Sequence, residues 1–259
     1  TYRYYLENFK RDSYDGKGAR IDSYVRSDNM KNAMWETRGK YMVYGPQYSG
    51  ALDIVGHEIT HGVIQHGPDL DYQNEPGAVN EFVADFFGLM IENTNQVSNS
   101  WTIGESLPGF QPPSSPMRNL SDPHNGHFDR TKKYNGKTNN GQPDHMKEFV
   151  RRNDAICMTT SDKYNGCVHF NSGIFGKAAF LAVEGGEHYG VKIRGIGRQK
   201  FGNVLYHALE TKFTKTIGFR LAAEQLLESC FALGAQAQIT EDDCGQLRKA
   251  FSSVGVLEP

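Results

Sequence analysis

No apolar run in this sequence approaches the roughly 20 residues that a bilayer-spanning helix requires; the longest, such as AAFLAV at 178–183, is far shorter. No membrane partner is therefore expected. Charge of either sign is also not in excess: 28 Lys and Arg against 30 Asp and Glu leave a formal net charge of -2. Without a basic field there is little to hold a polyphosphate, which sets nucleic acid aside as a partner. Cysteine is scarce, four in 259 residues, and no two are spaced as C-x-x-C, so neither a thiolate zinc site nor a redox motif is expected. The four stand as two local pairs, Cys157 with Cys167 and Cys230 with Cys244. Disulfides between neighbours would stabilise the fold by on the order of 3 kcal/mol each in the loop-entropy model and would imply an oxidising, extracellular destination. Buried free thiols are the alternative. The sequence starts at Thr1 with neither an initiator Met nor a signal-type apolar stretch, which fits a processed product better than a primary translation product. Internal repeats and low-complexity tracts are absent as well.

What is there is a hydrophobic content of 38% over 259 residues, ample for a core and for two compact lobes. The first fifty residues are rich in Tyr and punctuated by Gly, and stretches such as YMVYG at 41–45 read as strand and turn. From Ala51 the pattern changes. ALDIVGHEITHGVIQHG carries apolar residues at 52, 55, 59 and 63, a helical stripe stopped by Gly67 and Pro68. A second helix is predicted over about 77–93, apolar nearly all round and so buried between other elements. Residues 94–147 are rich in Pro, Gly, Asn and Ser, loops long enough to wall a cleft or bind an ion. From Asn171 onward helical periodicity dominates.

The chemistry centres on HEITH at 57–61. Two imidazoles four residues apart on a helix project from one face, so His57 and His61 can grip one ion of borderline softness, zinc first. Glu58, directly after the first His, points within reach of an activated water as a general base. A catalytic zinc wants a third protein ligand and an open fourth position; Glu81, a carboxylate on the buried second helix, fits that role. One turn on, Asp85 would accept the far N–H of one ligating His, and Asn80 that of the other. Helix capping or solvation is the plainer reading of those two, but acids within so apolar a stretch seldom lack partners.

With nineteen residues between HEITH and Glu81 in GAVNEFVADFFG, the chain resembles the thermolysin-type neutral zinc metallopeptidases (thermolysin, bacillolysin, pseudolysin). NAMW (32–35), VYG (43–45), YQNEPGAVNE (72–81), SDP (121–123), VHFNSGI (168–174), HYG (188–190) and GIGR (195–198) recur in order. The resemblance implies that Asn32 and the carbonyl of Ala33 hold substrate backbone, and that Tyr72 and His169 stabilise an oxyanion. It implies that Arg118 binds the substrate carbonyl after the scissile bond, and that Ile54, Ile103, Leu107 and Met117 line a pocket for a bulky apolar side chain. Core packing is the competing reading for those four. It implies calcium at Asp53, Glu92 and Glu105. Ser100 and Thr102 stand where the family's paired-calcium site carries acids, so one calcium is expected rather than two, with a carbonyl such as that of Thr102 completing it. Tyr164 occupies the position of the aspartate that orients the catalytic histidine in thermolysin; Asp162 is near enough to substitute.

The expectation is an α+β, thermolysin-like fold: a truncated strand-rich lobe over 1–50, a central zinc helix over 51–67, and a mainly helical lobe over 68–259. Whether the missing front strands are absent by lineage or by processing stays open. The expected activity is that of a secreted zinc endopeptidase cutting before bulky hydrophobic residues, made as a zymogen. It would be monomeric, with protein substrates and its own pro-segment as partners. An exopeptidase would need groups to capture a free amino terminus, and no G-x-M-E-N-type segment is present. A catalytically dead zinc-stabilised binding module would not need Glu58.

Overall fold

The computed structural model describes residues 1–95, 100–110, 116–126, 133–134, 137–138, 141–158 and 161–258; parts of the loop-rich stretch 94–147 lie outside the described residues. The chain starts with helix α1 (Tyr2–Phe9). Its ring of aromatics, which favours strand on propensity alone, packs as a helix because Tyr5 and Phe9 fall on one face. Tyr5 Oη lies 2.7 Å from Thr60 Oγ1 and the Phe9 ring stacks at 3.9 Å on Tyr206. Three short strands follow, β1 (Ser23–Tyr24), β2 (Ala33–Glu36) and β3 (Tyr41–Tyr44), in the order β1-β3-β2. β2 runs antiparallel to β3 with Ala33 opposite Tyr44 and Trp35 opposite Met42, and β1 runs parallel to β3. YMVYG accordingly forms β3 and the turn beyond it.

Helix α2 (Leu52–His66) carries the HEITH motif and ends at Gly67, ahead of Pro68. Helix α3 (Asn74–Asn95) is buried from Ala78 to Ile91 on every face, as its unbroken apolar run requires. The two helices approach closely at a pair of glycines. A Cβ on Gly56 would sit 3.0 Å from Gly88 Cα, and one on Gly88 would sit 2.5 Å from the Asp53 carbonyl oxygen. Glycine at these positions lets the backbones draw together, which brings the α3 acids up to the α2 histidines.

Beyond α3 come two small antiparallel ladders, β4 (Thr102–Ile103) with β5 (Arg118–Asn119) and β6 (Lys133–Tyr134) with β7 (Lys137–Thr138). A short helix, α4 (Ala155–Met158), precedes the long buried helix α5 (Val168–Glu184). A hairpin then interrupts the helical third of the chain: β8 (Gly185–His188) pairs with β9 (Val191–Arg194) through a two-residue turn, Tyr189–Gly190, both at positive φ. Its first strand, Gly-Gly-Glu-His, has little strand propensity to announce it. Helices α6 (Arg198–Thr211), α7 (Phe219–Leu233) and α8 (Glu241–Ser253) complete the chain. Phe175 of α5 ties this lobe together, its ring meeting Phe82 of α3 at 5.4 Å, Phe219 of α7 at 4.7 Å and Phe251 of α8 at 5.0 Å. Both expected disulfides are formed, Cys157–Cys167 between α4 and α5 and Cys230–Cys244 between α7 and α8. The architecture is α+β.

Candidate metal centre and cleft

His57 and His61 lie one turn apart on α2, with their Nε2 atoms 3.0 Å from each other. Each ring turns its other nitrogen to an oxygen of α3: His57 Nδ1 lies 2.8 Å from Asp85 Oδ1, and His61 Nδ1 lies 2.8 Å from Asn80 Oδ1. Oxygen acceptors in these positions favour the tautomer with the proton on Nδ1, in which the facing Nε2 atoms present lone pairs to one another. Glu81 adds a carboxylate, Oε2 at 3.6 Å from His57 Nε2 and Oε1 at 3.5 Å from His61 Nε2.

Two bare lone pairs and an anion converging in a buried place repel one another unless a cation stands between them. Donors about 2.0–2.2 Å from a tetrahedral zinc lie roughly 3.3 Å apart, and the separations here, 3.0 to 3.6 Å, bracket that value. Glu81 Oε2 is buried and makes no hydrogen bond, the state of a ligand oxygen. The residues present fit a zinc ion.

The electrostatics agree. Burial pushes His61 down to about 4, helped by the neighbouring His57, which keeps its imidazole neutral and available to a metal. Burial would lower His57 too, but Asp85 and Glu81 raise it; those charges favour any cation on its Nε2, and a metal competes with a proton for that lone pair. Burial would raise Glu81, yet His169, His57, His61 and Arg118 hold it well below the usual carboxylate range. It is an anion at every working pH.

Glu58, on the same helix, is buried and accepts a hydrogen bond from the backbone of Trp35. Burial and the charge of Glu81 push its carboxyl up to about 7, against the pull of His57. β2 forms the cleft rim beside it. Asn32 O accepts from Gly45 N, and Glu36 O from Lys40 N. Alternation along an antiparallel ladder then turns the backbone groups of Ala33 and Trp35 to the free edge. A cleft of about 420 Å³ runs below that edge, lined by Asn32, Ala33, Trp35, Glu58, His61 and Tyr72 among others.

Opposite stands His169 in the first turn of α5. Its Nδ1 lies 2.9 Å from Asp162 Oδ1, and its own backbone N–H donates to Asp162 Oδ2 at 3.0 Å. Asp162 therefore occupies the role that Tyr164, two-thirds exposed and turned to Lys163, does not fill. His169 Nε2 lies 3.3 Å from Tyr72 Oη and 3.3 Å from Glu81 Oε2, and Tyr72 Oη donates to Glu81 Oε1 in a short contact. Although desolvation opposes it, Glu81 and then Asp162 push His169 up to about 9. A cation held by Glu81 offsets the Glu81 share and leaves Asp162 as the main support.

Arg118 is buried against helix α3. Its Nε and Nη2 grip Asp85 in a buried fork at 2.7 and 2.6 Å, so Asp85 holds His57 and Arg118 together. No sequence signal links residues 33 positions apart in this way. Nor did the sequence announce the Trp35 backbone behind Glu58. Ile54, Ile103 and Leu107 are buried in the main core, with Met117 packed against it. Asp53, Glu92 and Glu105 bring carboxylate oxygens within 4.8 Å of one another. Ser100 Oγ donates to Glu105 at 2.9 Å and lies 2.5 Å from Thr102 Oγ1. Glu92 Oε2 and Glu105 Oε2 are buried without hydrogen bonds, and burial with Asp53 and Glu105 pushes Glu92 up to about 7.

Comparison with known proteins agrees with this geometry. Residues 1–65 match the family described as "Thermolysin metallopeptidase, catalytic domain", and residues 68–256 match "Thermolysin metallopeptidase, alpha-helical domain". Thermolysin of Alicyclobacillus acidocaldarius subsp. acidocaldarius is 38% identical over 99% of this chain, and bacillolysin of Bacillus cereus is 35% identical over 99%. The chain spans 43% and 42% of the length of these two relatives. Among solved structures, the precursor of protealysin, a metalloproteinase from Serratia proteamaculans, superposes with a TM-score of 0.75 at 26% identity, covering 99% of this chain and 75% of that one. The chain belongs to the thermolysin metallopeptidase family.

Proposed function

We propose that this chain is a zinc-dependent endopeptidase that hydrolyses internal peptide bonds of proteins. One observation carries the reading: the Nε2 atoms of His57 and His61 and the Glu81 carboxylate converge beside a buried Glu58 whose carboxyl sits near neutrality. When bound by His57, His61 and Glu81, zinc would polarise a peptide carbonyl and acidify water. Substrate backbone extends the sheet along the free edge of β2 at the Ala33 backbone, with the Asn32 side chain beside it. Glu58 takes a proton from the attacking water onto its carboxylate and returns it to the leaving nitrogen, an exchange suited to a carboxyl near pH 7. His169 donates from Nε2 and Tyr72 from its hydroxyl to the developing oxyanion.

Arg118, held by Asp85, directs the substrate carbonyl beyond the scissile bond. Ile54, Ile103, Leu107 and Met117 favour a bulky apolar residue there. One calcium at Asp53, Glu92 and Glu105 serves stability, consistent with their orphaned oxygens. The two disulfides favour a secreted enzyme, and the match to a protealysin precursor supports a pro-segment as partner. A monomer suffices, since the site's residues come from one chain.

The test is casein cleavage by wild type and Glu58→Gln, with zinc content measured in both. The variant should keep its zinc and lose activity by at least about a hundredfold. A zinc-loaded variant that cuts as fast as wild type refutes the proposal.

A further inference from the structure

We propose a second metal site, for a divalent transition ion of the zinc class, built from His124, Asp144 and Glu148. One donor atom from each of the three lies within 4.8 Å of the others. His124 sits in the short turn Pro123–Asn125, Glu148 ends the turn Met146–Glu148, and Asp144 precedes that second turn. His124 Nε2 lies 2.8 Å from Glu148 Oε2, and its Nδ1 lies 3.8 Å from Asp144 Oδ2. An imidazole gives an ion one nitrogen only, so a single one of these two separations would be spanned by the ion, with the third donor within 4.8 Å. Closing to the roughly 3.3 Å of a tetrahedral site takes a small shift of the partly exposed His124 and Glu148 side chains.

Two features separate the cluster from an ordinary ion pair. Asp144 Oδ1 is buried and makes no hydrogen bond, so a histidinium pairing with Glu148 leaves it unexplained. A second imidazole stands behind it, with His188 Nε2 3.8 Å from that same oxygen and 3.3 Å from the Asp144 carbonyl oxygen. The framework is also fixed in advance. Gln142 N–H donates to Pro123 O at 2.8 Å, and Asp144 N–H donates to Glu148 Oε2 at 3.3 Å. The segment bearing His124 and the one bearing the two acids are thus joined by backbone before any ion arrives, which lowers the ordering cost of binding. Imidazole with carboxylate selects zinc-class ions, in contrast to the oxygen-only cluster at Asp53, Glu92 and Glu105 that suits calcium. Lys177, whose charge is felt at Asp144, is committed to the Ser121 carbonyl at 2.7 Å. An ion here would clip residue 124 to residues 144 and 148, a structural rather than a catalytic task.

The probe is cobalt, counted by equilibrium dialysis of the stripped whole chain in excess calcium. Wild type should take up about two equivalents, and His124→Ala and Glu148→Gln about one each. The equivalent retained by each variant reports an intact fold. His57→Ala should lose the other equivalent and keep this one, which separates failure of this proposal from failure of the catalytic reading. Uptake that depends on His57 alone and is unchanged in both His124→Ala and Glu148→Gln overturns it. If His124→Ala unfolds by circular dichroism, the count in the isosteric Glu148→Gln decides.

Discussion

Asp162 holds His169 at two points: Oδ1 lies 2.9 Å from the ring Nδ1, and Oδ2 accepts the backbone N–H at 3.0 Å. One carboxylate thus fixes both the start of α5 and the tautomer of its first-turn imidazole. A protonated His169 can donate from Nε2 into the cleft while Nδ1–H stays bound to Asp162.

Asp162→Asn keeps the shape and removes the charge. Turnover should fall about tenfold or more with KM changed less than about twofold, because an oxyanion donor acts mainly in the transition state. Loss of the carboxylate lowers the His169 pKa, so the alkaline limb of the rate profile should move to lower pH. A merely structural role predicts lost stability with an unmoved profile. The kcat profile from pH 5 to 10 distinguishes them.

Gly88→Ala should cost at least about 2 kcal/mol of stability, since its Cβ would press to 2.5 Å from the Asp53 carbonyl oxygen and 3.2 Å from His57 N. Zinc affinity should fall with it, as α3 carries Glu81 and Asp85. Gly202→Ala in α6 is the control: its Cβ would meet nothing closer than the Phe86 ring at 3.9 Å, so it should be neutral or stabilising by up to about 1 kcal/mol. Urea melts of both variants measure this.

Calcium dependence should grow with pH. Glu92 is pushed up to about 7, so its folded pKa exceeds its unfolded one. Its contribution to stability is complete below the ordinary glutamate range and is lost as pH rises through about 7. A cation reverses that by favouring the ionised form. In calcium-free buffer the melting temperature should fall between pH 5 and 8. Excess calcium should restore it most at pH 8, and Glu92→Gln should blunt both effects. Melting curves unaffected by calcium at pH 8 refute the site.

Acid should loosen the C-terminal lobe through Asp243. Its carboxylate closes the capping box of α8 with Thr240 and accepts from Lys200 at 2.7 Å and Arg194 at 2.8 Å. Burial opposes ionisation, but Lys200, Arg194 and the cap together hold its pKa below the usual range. A depressed folded pKa gives stability that is present above about pH 4 and lost as pH falls below it. Wild type should lose stability between about pH 4 and 2 more steeply than Asp243→Asn, and Thr240→Ala should cost about 1 kcal/mol at pH 7. Urea titrations at both ends of that range check the sign.

The zinc helix, its ligand pair and the buried second helix were legible because they are local: i, i+4 spacing puts two histidines on one face, and an apolar run reads as burial wherever it docks. The local cysteine pairs were legible for the same reason. The α1 helix was obscured because Tyr and Phe have strand propensity, and only docking onto Phe87 and Tyr206 resolves it. What the tertiary structure alone decided are contacts between distant segments. The Asp85–Arg118 fork spans 33 positions, the Trp35 backbone reaches Glu58 across 23, and His124 meets Asp144 and Glu148 across a long loop. Asp162 rather than Tyr164 serves His169 because the turn before α5 aims one side chain inward and the other out. Periodicity carries no record of such pairings, which arise only when packing brings buried charges together and desolvation leaves each needing a partner.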